Sequence, residues 1–580
     1  MLKATDLSYE FPQKELFNNI SFTLEEGQHC AFIGISGSGK STLIDLIIHP
    51  DNYMFTGDLE LDTHCHIGYV SQFLDEEHAH ALSVFEYIGG SCIKLQKELA
   101  DICLEMETAT DLEPLLERYQ ETFDAFEALG GDEFESAINK KLNLANLTRH
   151  KDLLLSELSG GEFKLVQVIK EMLTNPHLMI MDEPDVFLDF EHLNSLKNLI
   201  NTYKGTLLVI THNRYLLNHC FNKILHLENK ELQEFDGNYR EYNFSLLEEK
   251  IKLQELAQAD TDAIEKNAAV IEKLREAATN LADPSKGKAL KARVKLQERL
   301  EARRIKPPFV YIQEPLIQLT TTHEVDPESV LLKVTDYSVS FDELLLKNVN
   351  FEMKATDKVA LIGENGTGKT TLLRDLFKNN HPSITFAENA EIAYLSQRQG
   401  EILNEEHTIL EAFLALGFKN AEEVLSHISN YGFHEEMLTQ RIKALSGGEK
   451  NLLQLAQIAT TNANFLLLDE PTSHLDTYSQ LALEKALSAY NGAVLMISHD
   501  FYSIVNTMDY ALLIDDKTIR KVSMRKFRKM IYASHFDKDY LELEQKKKNL
   551  ETKIEACLKV NDFAHAKVLC EELEVLLKLF

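Results

Sequence analysis

Two glycine-rich octapeptides, one in each half of the chain, contain the residues best suited to chemistry. Both fit the pattern GxxxxGK[ST], in which backbone N–H groups close around phosphate oxygens, the lysine reaches the β- and γ-phosphates, and the last hydroxyl ligates Mg²⁺. The first loop is predicted to bind phosphate through Gly34, Ser36, Gly37, Ser38, Gly39, Lys40, Ser41 and Thr42. The second is predicted to do so through Gly363, Asn365, Gly366, Thr367, Gly368, Lys369, Thr370 and Thr371. One chain therefore carries two predicted nucleotide sites, with Ser41 and Thr370 as magnesium ligands.

The chain contains an internal repeat, because further motifs recur at one constant spacing. Leu-Ser-Gly-Gly-Glu and Asp-Glu-Pro each occur twice. The same offset, 287 positions by subtraction, relates Ser159 to Ser446, Glu183 to Glu470 and His212 to His499. A constant offset predicts two copies of one structural unit. The phosphate loops lie 329 positions apart, so the first copy has about 42 extra residues between its phosphate loop and its Leu-Ser-Gly-Gly-Glu segment.

These motifs resemble those of the ATP-binding-cassette family, and the resemblance covers nearly all of residues 1–536. It implies an α/β fold with two tandem cassettes that hold two ATP molecules between them, each bound by one phosphate loop and by the signature of the opposite cassette. The signature residues are Ser159, Gly160 and Gly161 in the first cassette and Ser446, Gly447 and Gly448 in the second. The resemblance also implies that Phe11 and Phe341 stack on adenine and that Gln72 and Gln397 sense Mg²⁺ and the γ-phosphate.

The carboxylate pairs and the histidines that follow them predict the hydrolytic chemistry. Asp182 and Asp469 each end an apolar strand and are predicted to hold Mg²⁺, while Glu183 and Glu470 orient and polarise the attacking water. The histidines predicted to contact the γ-phosphate are His212 and His499. Each signature serine also stands three residues before a glutamate, which is the spacing of a helix capping box.

Composition excludes several classes of protein. The chain has 580 residues, a formal net charge of −32 and a mean hydropathy of −0.22. No apolar run approaches the roughly 18 residues of a membrane-spanning helix, and the first residues do not resemble a signal peptide. Seven cysteines without metal-ligand spacing predict buried thiols in a reducing compartment, with neither disulfides nor zinc. We therefore expect a cytoplasmic protein that has no membrane domain.

The connector between the cassettes suggests the subfamily. Apolar residues at helical spacing predict one helix over about 244–281, a hairpin tip at 283–285 and a return helix over about 286–304. Two cassettes joined by such a charged helical connector, with no membrane domain, resemble the ABC-F subfamily of ATPases that act on the ribosome. In that family the connector approaches tRNA at the peptidyl-transferase region of the large subunit.

The return helix is strongly basic. Residues 286–306, here called the basic finger, contain nine lysine or arginine residues and two glutamates, within an acidic chain. Basic charge on a projecting element is typical of contact with a phosphate backbone. The predicted RNA contacts are Lys286, Lys288, Lys291 and Arg293. The alternative is a solvated face of a coiled coil, since charged helix surfaces are ordinary.

We divide the chain into a first cassette (1–240), a helical hairpin linker (241–308), a second cassette (309–536) and a C-terminal coiled-coil hairpin (537–580). The extra residues of the first cassette, about 90–145, form either the arm typical of the family or an enlarged helical subdomain. The sequence does not identify what the C-terminal hairpin packs against.

The two copies differ after their Asp-Glu-Pro motifs. The second reads Asp-Glu-Pro-Thr-Ser-His-Leu-Asp, close to the family pattern, whereas the first has Asp185, Val186 and Phe187 in place of Thr, Ser and His. This departure predicts slower hydrolysis at the site that uses Lys40 and Glu183.

Three functional classes remain open at this point. The first is a ribosome-associated translation factor that uses ATP and Mg²⁺, with rRNA and tRNA as partners and a monomeric chain that closes on itself. The second is a ribosome-protection factor that confers antibiotic resistance with the same machinery. The third is an ATPase subunit of a transporter or of DNA repair. We expect neither membrane nor DNA as a partner, because the chain lacks a membrane domain and a DNA-reading motif.

Overall fold

The structure is a computed structural model that describes residues 2–11, 14–62, 65–72, 81–108, 112–186, 188–280, 290–297, 299, 315–323, 326–341, 344–535 and 540–579. The chain divides into two compact units. One comprises Met1–Asp236 and Glu314–Met530 and contains both cassettes; the other comprises Gly237–Gln313 and Ile531–Phe580. The side chain of Phe11, all of Phe187 and the predicted hairpin tip with Lys286 and Lys288 lie outside the described residues.

The strands of the two cassettes follow one plan. The first cassette has β1 (Leu2–Phe11), β2 (Lys14–Leu24), β3 (His29–Ile33), β4 (Thr56–Leu61), β5 (Ile67–Val70), β6 (Leu178–Asp182), β7 (Thr206–Ile210), β8 (Lys223–Glu228) and β9 (Glu231–Asp236). The second has β10 (Val330–Ser340), β11 (Leu344–Lys354), β12 (Lys358–Ile362), β13 (Ile384–Phe386), β14 (Ile392–Leu395), β15 (Phe465–Asp469), β16 (Ala493–Ile497), β17 (Tyr510–Asp515) and β18 (Thr518–Ser523).

The helices, in chain order, begin with those of the first cassette and its insertion. They are α1 (Lys40–Ile48), α2 (Val84–Thr108), α3 (Glu113–Ala128), α4 (Phe134–Leu144), α5 (Gly160–Leu173), α6 (Phe190–Thr202) and α7 (Arg214–His219). After them come α8 (Tyr239–Asn280), α9 (Lys369–Lys378), α10 (Ile409–Ala415), α11 (Ala421–Ile428), α12 (Gly447–Ile458), α13 (Thr477–Ala489), α14 (Phe501–Thr507), α15 (Met524–His535), α16 (Tyr540–Lys559) and α17 (Phe563–Leu577). Residues 290–297 are also helical.

Each cassette contains a six-stranded sheet, ordered β5-β6-β7-β3-β8-β9 in the first and β14-β15-β16-β12-β17-β18 in the second. All neighbours pair in parallel except the last hairpin of each sheet. Strands β6 and β7 are buried at every position, as expected for parallel strands covered on both faces. A separate three-stranded antiparallel sheet, β2-β1-β4 or β11-β10-β13, completes each cassette. The predicted α/β fold with tandem cassettes is confirmed.

The topology brings the predicted chemistry to one edge of each sheet. Strand β3 leads into the first phosphate loop, β6 ends at Asp182, and β7 ends two residues before His212. Because these strands are parallel and adjacent, with Asp182 paired to Ile210 and Phe32 also paired to Ile210, their carboxyl ends meet. Strands β12, β15 and β16 do the same in the second cassette, where Asp469 pairs with Ile497.

The second unit contains a bundle in which the C-terminal hairpin packs on the linker helix. Helix α8 begins after Asn238, whose side chain accepts from the N–H groups of Arg240 and Glu241, while Glu241 accepts from the N–H of Asn238. Helices α16 and α17 form the predicted C-terminal hairpin. The buried residues that unite the three helices are Ile251, Ile554, Leu558, Ala566, Leu569, Cys570, Leu573 and Leu576. The apolar stripe of the C-terminal hairpin thus has its partner in the same chain, which the sequence did not reveal.

None of the described helices combines the length and the apolar character that crossing a lipid bilayer requires.

Candidate functional site

The two phosphate loops have the same geometry. Each lies between a buried strand and a helix, and each ends in a glycine with a left-handed backbone, Gly39 or Gly368, that precedes the lysine. Lys40 is buried and its Nζ donates to two loop carbonyls at 2.9 Å. Lys369 makes the equivalent bonds at 2.8 and 2.7 Å. A Cβ on Gly34 would lie 2.2 Å from the carbonyl oxygen of Leu227, so only glycine fits there.

The hydroxyl and carboxylate oxygens predicted as magnesium ligands lie together at both sites. Thr370 donates to Asp469 Oδ1 at 3.2 Å, and the other carboxylate oxygen of Asp469 is buried without a hydrogen-bond partner. Ser41 bonds Asp182 in the same way, and Asp182 Oδ1 is also buried without a partner. Burial raises the pKa of both aspartates to about 6. Hard oxygen donors of this kind fit Mg²⁺.

The two candidate catalytic glutamates share an unusual backbone. Glu183 and Glu470 have φ angles of 46° and 51°, in the left-handed region that non-glycine residues rarely adopt. Strain of this kind concentrates at functional sites, where the surrounding structure holds it. In both cassettes the glutamate follows the last strand residue and its N–H donates to the neighbouring strand at 2.9 Å.

The side chains of the two glutamates differ in their partners. Glu183 Oε2 accepts from Gln72 Nε2 at 2.7 Å and lies 3.2 Å from Nδ1 of His474, a residue of the second cassette. Glu470 Oε2 accepts from the N–H of His499 at 3.3 Å, and its Oε1 lies 3.5 Å from the same imidazole. The first carboxylate is therefore held by both cassettes, and the second by its own cassette.

The surroundings shift the pKa values of the two carboxyl groups in opposite directions. Burial opposes ionisation of Glu183, but His474, His212 and Lys40 hold the pKa of Glu183 below its usual value. Burial and the adjacent carboxylate of Asp469 raise the pKa of Glu470. A carboxylate with a raised pKa is the stronger base for proton transfer near neutral pH. If these glutamates act as general bases, as the sequence predicts, the pKa of Glu470 is the better suited to that role.

The histidines after β7 and β16 are neutral near pH 7. Burial lowers the pKa of His212 to about 4 and that of His499 to about 3, with Lys40 and Lys369 adding to the effect. The Nδ1 atom of each is buried without a hydrogen-bond partner. A neutral imidazole can donate one hydrogen bond to a phosphate oxygen without bringing another charge into the site.

The signature segments begin helices α5 and α12 as capping boxes. The N–H of Ser159 donates to Glu162 at 2.7 Å, and the N–H of Glu162 donates to the Ser159 hydroxyl at 3.3 Å. Ser446 and Glu449 repeat this arrangement at 2.8 and 3.3 Å. The N–H groups of such a helix start also favour an anion, so capping and phosphate binding are compatible.

The cassettes approach each other reciprocally. At the first site Ser36 Oγ donates to the carbonyl of His474 at 3.3 Å, and the N–H of Ser36 lies 3.4 Å from Asp476. A Cβ on Gly448 would lie 2.6 Å from Ser36 Oγ, so the second signature lies directly against the first phosphate loop. At the second site Asp189 of the first cassette opposes the effect of burial on the pKa of Lys369, as Asp476 does for Lys40.

A cavity of ≈ 800 Å³ opens between the second phosphate loop and the first signature. Its lining includes predicted site residues from both cassettes: Ser159, Gly160, Gly161, His212, Asn365, Gly366, Gly368, Lys369, Thr370, Thr371, Gln397, Asp469, Glu470 and His499. Gln397 is exposed on its wall, and Phe341 is 69% exposed at the end of β10. A nucleotide placed here would contact both cassettes at once.

The departure at residues 185–187 concerns a different ATP site from the one to which the sequence interpretation assigned it. His474, which corresponds to Phe187 in the repeat, does not serve its own glutamate; it crosses the interface to Glu183. A phenylalanine at position 187 has no polar atom and therefore cannot offer Glu470 the equivalent contact. The substitution thus concerns the opposite site, and the first site is expected to be slower because two hydrogen bonds restrain Glu183.

Sequence reasoning missed a buried cation between the cassettes. Arg214 donates to Glu484 and, at 2.7 Å, to Asp500, both in the second cassette, and its guanidinium lies 5.0 Å from the ring centre of Tyr502. Burial alone would lower the pKa of Arg214, but Asp500 and Glu484 hold it above its usual value. The available signal was that a cation, Arg214, stands where the second copy has the apolar Phe501.

Comparison with known proteins agrees with this geometry. The ABC transporter family model matches residues 17–186 and 346–473. An uncharacterized ABC transporter ATP-binding protein of Bacillus subtilis (strain 168), YfmM, is 29% identical over 529 residues, which cover 87% of this chain and 97% of the relative. The probable ATP-binding protein YheS of Escherichia coli (strain K12) is 27% identical over 531 residues, covering 90% and 79%.

The fold is also similar to that of a protein described in a "Model of ribosome-bound archaeal Pelota and ABCE1". The TM-score is 0.52 at 18% identity, and the alignment covers 91% of this chain and 80% of the other. At this identity the likeness concerns the fold alone.

Proposed function

We propose that this chain, which belongs to the ATP-binding-cassette family and is an ATPase of the ABC-F type, binds two ATP molecules between its cassettes and acts on the ribosome near tRNA as a translation factor. The observation that carries the ATP-binding part is the reciprocal approach of each phosphate loop to the other cassette. The ribosomal part is supported by the basic finger and by the likeness to a protein that is described as ribosome-bound.

Binding would exchange contacts within the loops for contacts to phosphate. Lys40 and Lys369 now donate to carbonyls of their own loops, and ATP would offer charged oxygens in the same positions. Asp182 with Ser41, and Asp469 with Thr370, would hold Mg²⁺. The ion would neutralise phosphate charge and favour attack on the γ-phosphate.

Hydrolysis would use the residues at the strand ends. Glu183 and Glu470 would accept a proton from the attacking water, and the neutral His212 and His499 would donate to the γ-phosphate. The signature helix of the opposite cassette would supply N–H groups toward the same phosphate. Since each site needs parts of both cassettes, closure of the cassettes and ATP turnover are linked.

The described part of the basic finger, residues 290–297 and 299, adds one detail. The Asn267 side chain donates to the carbonyl of Arg293 at 3.0 Å and to Gln297 at 2.8 Å, and the Arg293 guanidinium lies 3.3 Å from Asn267 Oδ1. Asn267 is 4% exposed, so these buried hydrogen bonds fix the register of the two linker helices. Arg293 therefore has a role within the linker besides any contact with RNA.

Neutralising the basic finger tests the ribosomal part of the proposal. Lys286, Lys288 and Lys291 changed together to Gln should leave ATP hydrolysis intact but weaken co-sedimentation with ribosomes. The dependence of ribosome affinity on salt should become shallower, by up to about 0.9 log units of affinity per log unit of salt concentration for each phosphate that is no longer neutralised. The matched control changes exposed lysines elsewhere in the same helical unit, Lys252, Lys266 and Lys553, to Gln.

The finger proposal fails if both triple variants bind ribosomes alike and with the same salt dependence. Arg293→Gln is measured separately, because its bond to Asn267 also supports the linker packing. Ribosome binding that is absent from the unaltered protein, with and without ATP, would contradict the ribosomal function itself.

A further inference from the structure

A strip of cations covers one edge of the second cassette. Residues 517–529, here called the basic strip, contain seven lysine or arginine residues and no aspartate or glutamate, in a chain of net charge −32. They form the edge strand β18 and the start of helix α15. Six of the seven are exposed: Lys517, Arg520, Lys521, Arg525, Lys526 and Lys529.

The equivalent segment of the first cassette has the opposite charge. The offset of 287 positions places residues 230–242 in register with the strip, and they contain two cations and four carboxylates, a net −2 against +7. Both segments form the last strand of an antiparallel hairpin with the same residue-by-residue register. The fold therefore does not require the cations.

The chemistry of the basic strip fits a phosphate backbone. Among its apolar side chains Val522, Met524 and Phe527 are buried and Ile519 is half-buried against the core, so the strip exposes no large apolar group for insertion into lipid. Arg520 has an exposed ion pair with Asp515 at 3.1 Å, which contributes little in water. We propose that the basic strip binds the phosphate backbone of RNA. The choice of RNA rests on the proposed ribosomal function, whereas the difference in charge between residues 517–529 and 230–242 is independent of it.

The test compares two variants with the same change in net charge. One changes Lys517, Arg520, Lys526 and Lys529 to Gln. The control changes four exposed lysines elsewhere in the cassettes to Gln: Lys140, Lys333, Lys378 and Lys419. Binding to an RNA duplex of about 20 base pairs, free of ribosomes, is measured against salt. The strip variant should bind more weakly and reduce the salt slope by about 0.9 for each phosphate that it no longer neutralises, whereas the control should match the unaltered protein.

If both variants weaken RNA binding equally, the loss results from the change in net charge rather than from the basic strip, and the proposal is overturned. So would a strip variant that binds RNA normally but loses binding to phosphatidylserine vesicles, which would identify a membrane surface instead. If the unaltered protein fails to bind ribosomes yet binds the duplex through the strip, the ribosomal function fails and the strip proposal stands.

A separate observation concerns the segment that carries Gln72. Lys164, on helix α5, is fully buried, and its Nζ donates to the carbonyl oxygens of Ser71 and, at 3.2 Å, of Gln72. From this segment the Gln72 amide reaches Glu183 at 2.7 Å. The ammonium thus holds the backbone from which a predicted magnesium-sensing residue contacts the general base.

The second cassette holds the same backbone with a neutral group. Gln454 accepts from the N–H of Ser396 at 3.1 Å and donates to its carbonyl at 3.2 Å. In the first cassette the equivalent glutamine, Gln167, leaves its buried Oε1 without a partner. The residue in register with Lys164 is the neutral Asn451. A charged contact has therefore replaced a neutral one at the first site.

The first cassette also has a half-buried carboxylate, Asp185, where the second has a threonine. Asp185 Oδ1 accepts from the Thr211 hydroxyl at 2.6 Å, where the second cassette pairs the hydroxyls of Thr472 and Ser498 at 3.1 Å. Burial lowers the pKa of Lys164 to about 8, and Asp182, followed by Asp185 and Glu183, opposes that effect. The first cassette thus has a buried ammonium and a half-buried carboxylate where the second has two neutral residues.

We infer that Lys164 is a positioning residue of the first ATP site, which fixes the backbone of Ser71 and Gln72 so that the Gln72 amide lies against Glu183. Lys164 and Asp185 can each be replaced by the residue that the other cassette carries, as Lys164→Asn and Asp185→Thr. Background variants isolate each site: Glu470→Gln leaves turnover at the first site, and Glu183→Gln leaves turnover at the second.

In the Glu470→Gln background, Lys164→Asn should lower kcat by roughly 10- to 100-fold with little change in KM for ATP, because the reacting groups are misplaced while the phosphate loop is intact. In the Glu183→Gln background the same change should leave kcat within about twofold, although helix α5 also presents the first signature to the second site. Adding Asp185→Thr removes a neighbouring negative charge and should restore thermal stability, but not the first-site kcat.

Equal losses in the two backgrounds would show that Lys164 only stabilises helix α5 and would overturn the inference. An unchanged kcat in the Glu470→Gln background would overturn it as well. The double replacement keeps the test valid if Lys164→Asn alone fails to fold, because it reproduces the two neutral residues, Asn451 and Thr472, with which the second cassette folds.

Discussion

Replacing Glu183 and Glu470 together by Gln should abolish ATP turnover while ATP binding persists. Glutamine keeps the size of the side chain and can remain in the hydrogen bonds of the site, but it cannot accept the proton of the attacking water. Removal of a general base lowers kcat by roughly 10²- to 10⁴-fold. Steady-state phosphate release and equilibrium binding of a fluorescent ATP analogue measure the two properties. The matched control changes two exposed glutamates, Glu191 and Glu422, to Gln.

The single replacements should differ in effect. Glu470→Gln is expected to lower ATPase activity more than Glu183→Gln, because Gln72 and His474 restrain Glu183 and His474 lowers its pKa, whereas the pKa of Glu470 is raised. Equal losses would mean that both sites turn over alike. A double variant that hydrolyses ATP at the parent rate would refute the general-base assignment at both sites.

Removing the guanidinium of Arg214 should weaken the association of the cassettes. Arg214→Ala would leave Glu484 and Asp500 buried without their cation, and breaking a buried pair in this way costs about 3–5 kcal/mol. Glu484 keeps hydrogen bonds from Ser503 and Asn506, so we expect the lower end of that range. Thermal unfolding should shift to lower temperature, and ATP turnover should fall, since each site combines groups from both cassettes.

Two further variants separate charge from packing in that experiment. Arg149→Ala, at an exposed position, should leave both measurements unchanged. Arg214→Met combined with Glu484→Gln and Asp500→Asn removes the charges together and should recover much of the stability. If Arg214→Ala proves as stable as the parent, or if its effect simply adds to that of Glu484→Ala, the bridge contributes nothing to the interface.

The local chemistry was readable from the sequence because it depends on short segments. The phosphate loops, the carboxylates at strand ends and the capping boxes of Ser159 and Ser446 are each specified within about ten residues. Strands β6 and β15 are apolar up to their terminal aspartates, so their burial was also predictable. The constant offset then required the second cassette to repeat the first.

Contacts between distant segments could not be read in this way. The sequence interpretation assigned the Asp185–Phe187 departure to its own cassette, whereas the structure places the corresponding His474 on the opposite glutamate. The partner of the C-terminal hairpin, helix α8, lies roughly 300 positions earlier in the chain. No periodicity within either segment encodes that distance.

Short stretches of sequence were enough to define two phosphate-binding cassettes and the side chains that could perform hydrolysis, because helix caps, phosphate loops and buried strands follow from local sterics and hydrogen bonding. Tertiary packing was needed to show which cassette completes which site, that Arg214 joins the cassettes, and that Lys164 holds the Gln72 backbone. These contacts depend on how whole sheets and helices pack, and packing is set by the complete buried surface rather than by any single segment.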